Sequence, residues 1–235
     1  MFMKRVLLKL SGEALAGDKK TGFDDDTILA VAGQVKQLVD EGINVGIVIG
    51  GGNFWRGRSS NNIDRTKADQ IGMLATVMNC IYVSELFRSA GMMTQILTPF
   101  SVGEFTKGFS KDRCNKYFAK NMVVFFAGGT GHPYFSTDTG TLLRAIEIDA
   151  EAVLLAKAVD AVYDKDPKKY PDAKRYTEVS INEVVEKQLQ VVDMTASILA
   201  MENHMPMYVF SLSEPDGIVK AAKGIVSGTK VTADA

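Results

Sequence analysis

Lys9 interrupts an apolar run, RVLLKL (Arg5–Leu10), where a strand pattern calls for another apolar residue or for the end of the strand. Its ammonium, and the guanidinium of Arg56 beside Trp55, suit an anionic ligand; both suit an ordinary surface equally well. Asp69 lies inside an apolar helical stretch, ADQIGML (Ala68–Leu74), and a carboxylate buried there needs a donor. That donor is either a ligand hydroxyl or an internal arginine. Asp138 falls where a helix begins, so capping accounts for it without any chemistry. The densest set is the stretch beginning at Gly128, GGTGHPYFSTDT, which puts three glycines, three threonines, a serine, a histidine, a proline and an aspartate into twelve residues. It separates the apolar run MVVFFA (Met122–Ala127) from a helix-like LLRAIEI (Leu142–Ile148).

Those residues must be positioned by regular elements, and the pattern supplies them. Candidate strands are Arg5–Leu10, Asn44–Gly50, Met92–Thr98, Met122–Ala127, Ala152–Ala156 and Pro206–Phe210. Between the first two, Ile28, Leu29, Ala32, Val35, Leu38 and Val39 recur at helical spacing, behind an acidic start (Asp24–Thr27) and ahead of Gly42. Further helical patterns cover 64–90, 111–120, 137–149, 181–187, 194–203 and 215–223, and the polar stretch Tyr163–Lys174 reads as an exposed excursion. Alternation of this kind predicts an α/β fold, a three-layer sandwich around a mainly parallel twisted sheet. Ligands of such sheets bind beyond the carboxyl ends of the strands. Three loops at that edge are rich in glycine: Lys9–Glu13, Gly50–Gly57 and the stretch after Ala127. Glycine lets backbone N–H groups approach an anion, so three such loops with Lys9 and Arg56 point to a polyphosphate.

The composition narrows the classes further. The chain has 235 residues, 46% hydrophobic and 23% charged, enough for one large α/β domain. A net charge of −1 gives no positive field for nucleic acid or an anionic membrane. No apolar run approaches the ~20 residues that cross a bilayer, and the basic N-terminus lacks a signal core. Cys80 and Cys114 read as reduced thiols of a cytoplasmic protein, and two histidines are too few for a metal cluster. The phosphate-loop pattern Gly-x4-Gly-Lys-Ser/Thr is missing, since Gly12…Gly17 is followed by Asp18 and Gly103…Gly108 by Phe109.

Five pieces together resemble the bacterial uridylate (UMP) kinases of the amino-acid kinase family: KLSGEAL (Lys9–Leu15), GGGNFWRG (Gly50–Gly57), ADQIGMLATVMN (Ala68–Asn79), GTGHPYFSTD (Gly129–Asp138) and VDAVYDKDP (Val159–Pro167). The resemblance implies the amino-acid kinase fold over residues 1–235, the N-terminal part holding UMP and about 140–235 holding ATP. It implies transfer of the ATP γ-phosphoryl group to UMP, with Mg2+ carried in on ATP. By the same resemblance Lys9, Asp138 and Arg56 serve the reaction. Lys9, Leu10, Ser11, Gly12, Gly52, Arg56, Lys157, Tyr163 and Asp166 meet ATP. Gly51, Asp69, Thr130, Gly131, His132, Pro133, Tyr134, Phe135, Ser136 and Thr137 meet UMP. A homohexamer with nucleotide effectors such as GTP or UTP is also implied, the loop GDKKTG (Gly17–Gly22) lying in the region linked to that control. For the interface, the helical pattern over 64–90 offers more apolar residues (Met73, Val77, Ile81, Leu86, Phe87) than one sheet contact needs. The family often carries asparagine at His132 and glycine at Ala161. Two alternatives remain: a kinase of amino-acid or acyl carboxylates, acetylglutamate-kinase-like, and a non-catalytic nucleotide sensor.

Overall fold

The computed structural model describes residues 3–19, 21–55 and 62–233. In chain order the elements are β1 (Arg5–Leu10), α1 (Gly12–Leu15), α2 (Asp25–Asp40), β2 (Asn44–Ile49), α3 (Arg65–Ser89), β3 (Thr94–Thr98), β4 (Lys107–Gly108), α4 (Lys111–Phe118), β5 (Val123–Phe126) and α5 (Thr137–Glu147). The second half adds β6 (Ala152–Lys157), β7 (Val162–Tyr163), β8 (Arg175–Tyr176), β9 (Glu178–Ser180), α6 (Ile181–Glu186), α7 (Met194–Glu202), β10 (Met207–Ser211), α8 (Gly217–Ala222) and β11 (Thr229–Thr232). The six expected strands are all present. The excursion is a small arm closed by the antiparallel pair β7 and β8, with Val162 opposite Tyr176.

Nine strands form one sheet in the order β4-β3-β5-β2-β1-β6-β10-β11-β9. Every pairing in it is parallel except β10 with β11. Because strand side chains alternate, the sheet feeds two cores. Val6, Leu8 and Leu10 pack in the core under α2, α3 and α8, with Ile28, Val35, Phe87 and Ile218. Leu7, Val153 and Leu155 pack on the other face with Leu142 and Ala145 of α5, Ile181 and Val184 of α6, and Ala196 of α7. This is the expected three-layer sandwich.

Helix boundaries follow local chemistry. Asp24 caps α2, its carboxylate accepting from Thr27 N at 2.9 Å, and Ile28, Val31, Ala32, Val35 and Leu38 are its buried stripe. Leu29, expected on that stripe, is exposed. Contrary to the reading of apolar runs, α3 is long and apolar enough by length and composition to cross a membrane. Its inner face is a core face, however, where Thr76, Asn79 and Ser84 are buried and hydrogen-bonded to other elements.

The strand order reverses direction at β1. From it the chain builds outward through β2 on one side and β6 on the other. The crevice beyond the carboxyl ends of β1 and β6 is the place such a sheet offers a ligand.

Candidate active site

Alternation decides what meets at that crevice. Lys9 shares the face of Leu7, so it points toward the layer that contains α5. Ser136 starts α5, its hydroxyl accepting from Asp138 N at 3.0 Å and Thr139 N at 3.2 Å. The cap is therefore Ser136 and not Asp138, which corrects the capping reading. Asp138 is the second residue of the helix, and its Oδ1 lies 3.0 Å from Lys9 Nζ, with the two side chains 21% and 12% exposed. Shielding on that scale makes the pair stronger than a surface ion pair, while leaving the ammonium reachable from the crevice.

Lys157 ends β6 on the same face, since Leu155 of β6 is paired with Lys9. Burial pulls its pKa below the usual 10.5; the Asp138 carboxylate opposes that shift and the Lys9 ammonium adds to it. Its Nζ donates to the Val191 carbonyl. Two cations and one carboxylate thus converge at the carboxyl ends of neighbouring strands.

The glycine loops pack on one another closely. A Cβ on Gly12 would lie 2.4 Å from Gly50 O and 2.5 Å from Asn53 Oδ1, so only glycine permits the first loop to touch the second. The second loop is tied down by a reciprocal amide pair. Asn53 Nδ2 donates to Asn79 Oδ1 at 3.0 Å, and Asn79 Nδ2 donates to Asn53 Oδ1 and Gly50 O, each at 2.7 Å. Asn53 Nδ2 also reaches Gly22 O at 2.9 Å. Sequence reasoning missed both asparagines; a buried amide inside the apolar stretch of α3 was the available signal. Thr76 of α3 anchors the third loop by accepting from Gly128 N at 2.8 Å.

Together the loops enclose an open cleft of about 300 Å3. Of the expected residues, Lys9, Ser11, Gly12, Gly51, Gly52, Asp69, Thr130, His132, Phe135, Ser136, Thr137 and Asp138 line it. Trp55, Arg65 and Glu13 line it as well. Leu10 is fully buried beneath, and its carbonyl accepts from Gly50 N at 3.0 Å. Gly131, Pro133 and Tyr134 form the outer turn rather than the lining. Gly131 and Tyr134 have φ of 84° and 71°, and a Cβ on Gly131 would lie 2.9 Å from Pro99. Asp69 has a protein donor, the half-exposed Arg65 one turn earlier in α3, with Nε at 2.8 Å, and in addition holds the outer turn through Tyr134 N at 2.8 Å. Arg56 lies outside the described residues.

A second cleft, of about 330 Å3, opens beside the β7–β8 arm. Tyr163 and Asp166 line it with Val159, Pro167, Leu189 and Gln190, whereas Lys157, expected beside them, belongs with Lys9 and Asp138. Among the described residues no group of three or more His, Cys, Asp or Glu is placed to hold a metal ion.

A parallel three-layer α/β protein with a glycine-lined, lysine-bearing crevice at its strand reversal is the class these features define. The particular family follows from comparison: the model of the Amino acid kinase family matches residues 4–211, and the chain belongs to that family. Among solved structures, it is similar to a UMP kinase from Bacillus anthracis, with 35% identity, coverage of 100% of this chain and 98% of that one, and a TM-score of 0.94. A UMP kinase from Ureaplasma parvum is 32% identical over 99% of this chain and 100% of its own, with a TM-score of 0.91. The uridylate kinase from Archaeoglobus fulgidus is more distant, at 25% identity and a TM-score of 0.75 over 99% and 100% of the two chains.

Proposed function

We propose that the protein is a UMP kinase, transferring the γ-phosphoryl group of ATP to the phosphate of UMP. The observation that carries this reading is the shielded Lys9–Asp138 pair at the meeting point of three glycine-rich loops. Full-length similarity to two bacterial UMP kinases supports it.

The residue types suit the chemistry. The second pKa of a phosphate monoester is near ~6, so the acceptor oxygen of UMP is already ionised at neutral pH and no general base is needed. What the protein must do is hold two anions together and stabilise charge on the transferred group. Lys9 supplies a cation at the transferred phosphoryl, with Asp138 fixing its direction through the 3.0 Å contact. Ser11, Gly12, Gly51 and Gly52 offer donors around the phosphates, and Arg56 is assigned to the same task from sequence. Thr130 to Thr137 cradle UMP, and Asp69, already aimed at the cleft, accepts from the ribose. Lys157 adds positive charge on the ATP side, while Tyr163 and Asp166 line the cleft assigned to the adenine and its sugar. On this reading residues before about 140 hold mainly UMP and those after it mainly ATP.

The donor set fits a magnesium ion carried by the nucleotide. Of the carboxylates lining the cleft, Asp138 is engaged by Lys9 and Asp69 by Arg65, so ATP oxygens and water would supply most of the coordination. Bound there, the ion would offset charge on the β- and γ-phosphates.

A homo-oligomer, a homohexamer as the sequence resemblance implies, accompanies this reading, as do cytoplasmic location and nucleotide effectors such as GTP or UTP. Of the residues expected to form the interface, Val77 and Phe87 are core, Met73 lines the cleft and Leu86 packs against the core. The outward stripe of α3 is Ile71, Leu74, Met78, Ile81 and Tyr82, all exposed, and light scattering should report more than a monomer. The functional test is ADP release from ATP with UMP, CMP, dCMP, AMP or acetylglutamate. UMP should turn over far fastest; equal turnover of CMP would remove the specificity, and turnover of acetylglutamate alone would replace the reading.

A further inference from the structure

The segment from Gln188 to Asp193 touches the second cleft, Lys157 and the first turn of α5. Gln188, Leu189 and Gln190 line the second cleft. Val191 gives its carbonyl to Lys157 Nζ. Asp193 caps α7 by accepting from Ala196 N at 3.0 Å, and its carboxylate also accepts from the hydroxyls of Ser136 and Thr139. The Thr139 hydroxyl lies 3.1 Å and 3.0 Å from the two carboxylate oxygens.

Ser136 and Thr139 bracket Asp138 in the first turn of α5. A serine hydroxyl has one proton to donate and two lone pairs. Ser136 uses both lone-pair sites on Asp138 N and Thr139 N, so its proton is left for Asp193. The carboxylate of Asp193 therefore determines the rotamer of the cap that aims Asp138 at Lys9. Thr139 is buried, so its hydroxyl depends on the same carboxylate. Hydrogen bonds to an ionised acceptor are about twice as strong as neutral ones, so an amide in its place holds the turn less firmly.

We propose that Asp193 is a positioning residue for phosphoryl transfer, and that its carboxylate links the segment Gln188–Asp193 to the geometry of the Lys9–Asp138 pair. The proposal rests on the kinase reading for its catalytic half. Its contact half stands on the structure alone.

Asp193→Asn separates the roles, because asparagine caps a helix about as well as aspartate. The melting temperature should fall by no more than about 5 °C, since the α7 cap survives and only the charge assistance to Ser136 and Thr139 is lost. The kcat should fall about 10–100-fold, with the KM for UMP little changed, as a sub-ångström misplacement of the reacting centre implies. Thr139→Val, which removes one hydroxyl and keeps the cap, should fall less, and the double variant should be no slower than Asp193→Asn. Wild-type kcat in Asp193→Asn would reduce Asp193 to a helix cap, and additive losses in the double variant would break the link. Should Asp193→Asn fail to fold, Thr139→Val alone decides: a several-fold lower kcat at unchanged melting temperature supports the proposal, and wild-type kcat overturns it. Amide exchange needs no substrate. The amides of Asp138 and Thr139 should exchange at least about tenfold faster in Asp193→Asn, given the loss of a charge-assisted anchor. Unchanged exchange overturns the link, whereas a wild type inactive toward UMP removes the kinase reading and leaves the exchange result to decide the contact.

Discussion

Gly12→Ala places a methyl group in the tightest contact of the site. Its carbon would sit 2.4 Å from Gly50 O and 2.5 Å from Asn53 Oδ1, where 3.0 Å is the closest a real Cβ comes, so the two loops must part by at least 0.6 Å (3.0 − 2.4). Neither obstacle yields easily, because both oxygens accept from Asn79 Nδ2 at 2.7 Å inside the protein. Overpacking of this kind costs about 1–3 kcal/mol, and alanine in place of a helical glycine returns roughly 1. The net loss is about 0–2 kcal/mol, a fall in melting temperature of about 0–8 °C for a chain of this length. The rate is more sensitive. A 1 Å misplacement costs about 10²-fold, so the loop movement should lower kcat about tenfold or more in steady-state ADP release. Gly33→Ala is the control, since Gly33 lies within α2 with nothing within 4 Å of an added Cβ. It should raise stability by about 0.5–1 kcal/mol and leave kcat alone. If both variants keep wild-type kcat, the close approach of the two loops does not position the reaction.

Three further outcomes follow from the same geometry. Lys9→Ala should lower kcat on the order of 10²–10³-fold, and far more than it raises the KM for UMP, as steady-state kinetics on the folded variant would show. Asp138→Asn should lower kcat by about one to several orders of magnitude with the melting temperature nearly unchanged, because Ser136 supplies the cap; a matching collapse of stability would make Asp138 structural. Burial pushes the Cys114 thiol up to about 11 from 9.0, with Arg144 and Arg5 opposing the rise, and Cys80 is raised further by burial. Both thiols should therefore resist alkylation in the native protein even at pH 9 and react on unfolding. The raised Cys114 value adds stability that is complete below 9.0 and fades as pH climbs toward 11.

The sheet was legible because its main strands are buried on both faces and so read as continuous apolar runs, as Val123–Phe126 does. The strands that escaped notice are short and polar, such as Lys107–Gly108 and Arg175–Tyr176, and exist only because a longer neighbour pairs with them or a turn brings them together. Lys9 and Asp138 were legible as a pair through motif resemblance alone. Their meeting depends on strand alternation at β1 and on which of two good caps, Ser136 or Asp138, starts α5. Asp193 and Asn79 show locally only as a helix cap and as an amide inside the apolar stretch of α3, and Asn53 not at all; each acts on a residue at least 26 positions away that only packing brings near. The outward stripe of α3 was misassigned for a related reason: a helix apolar on two sides does not declare which side the sheet will take.

The most direct test of the central claim is the destination of the phosphoryl group. ATP labelled at the γ-phosphorus is incubated with magnesium, UMP and the wild-type protein, and the products are separated. The account predicts label in UDP, with Lys9→Ala reducing it by about two orders of magnitude or more. Label appearing only as inorganic phosphate, or passing to acetylglutamate and not to UMP, would contradict it.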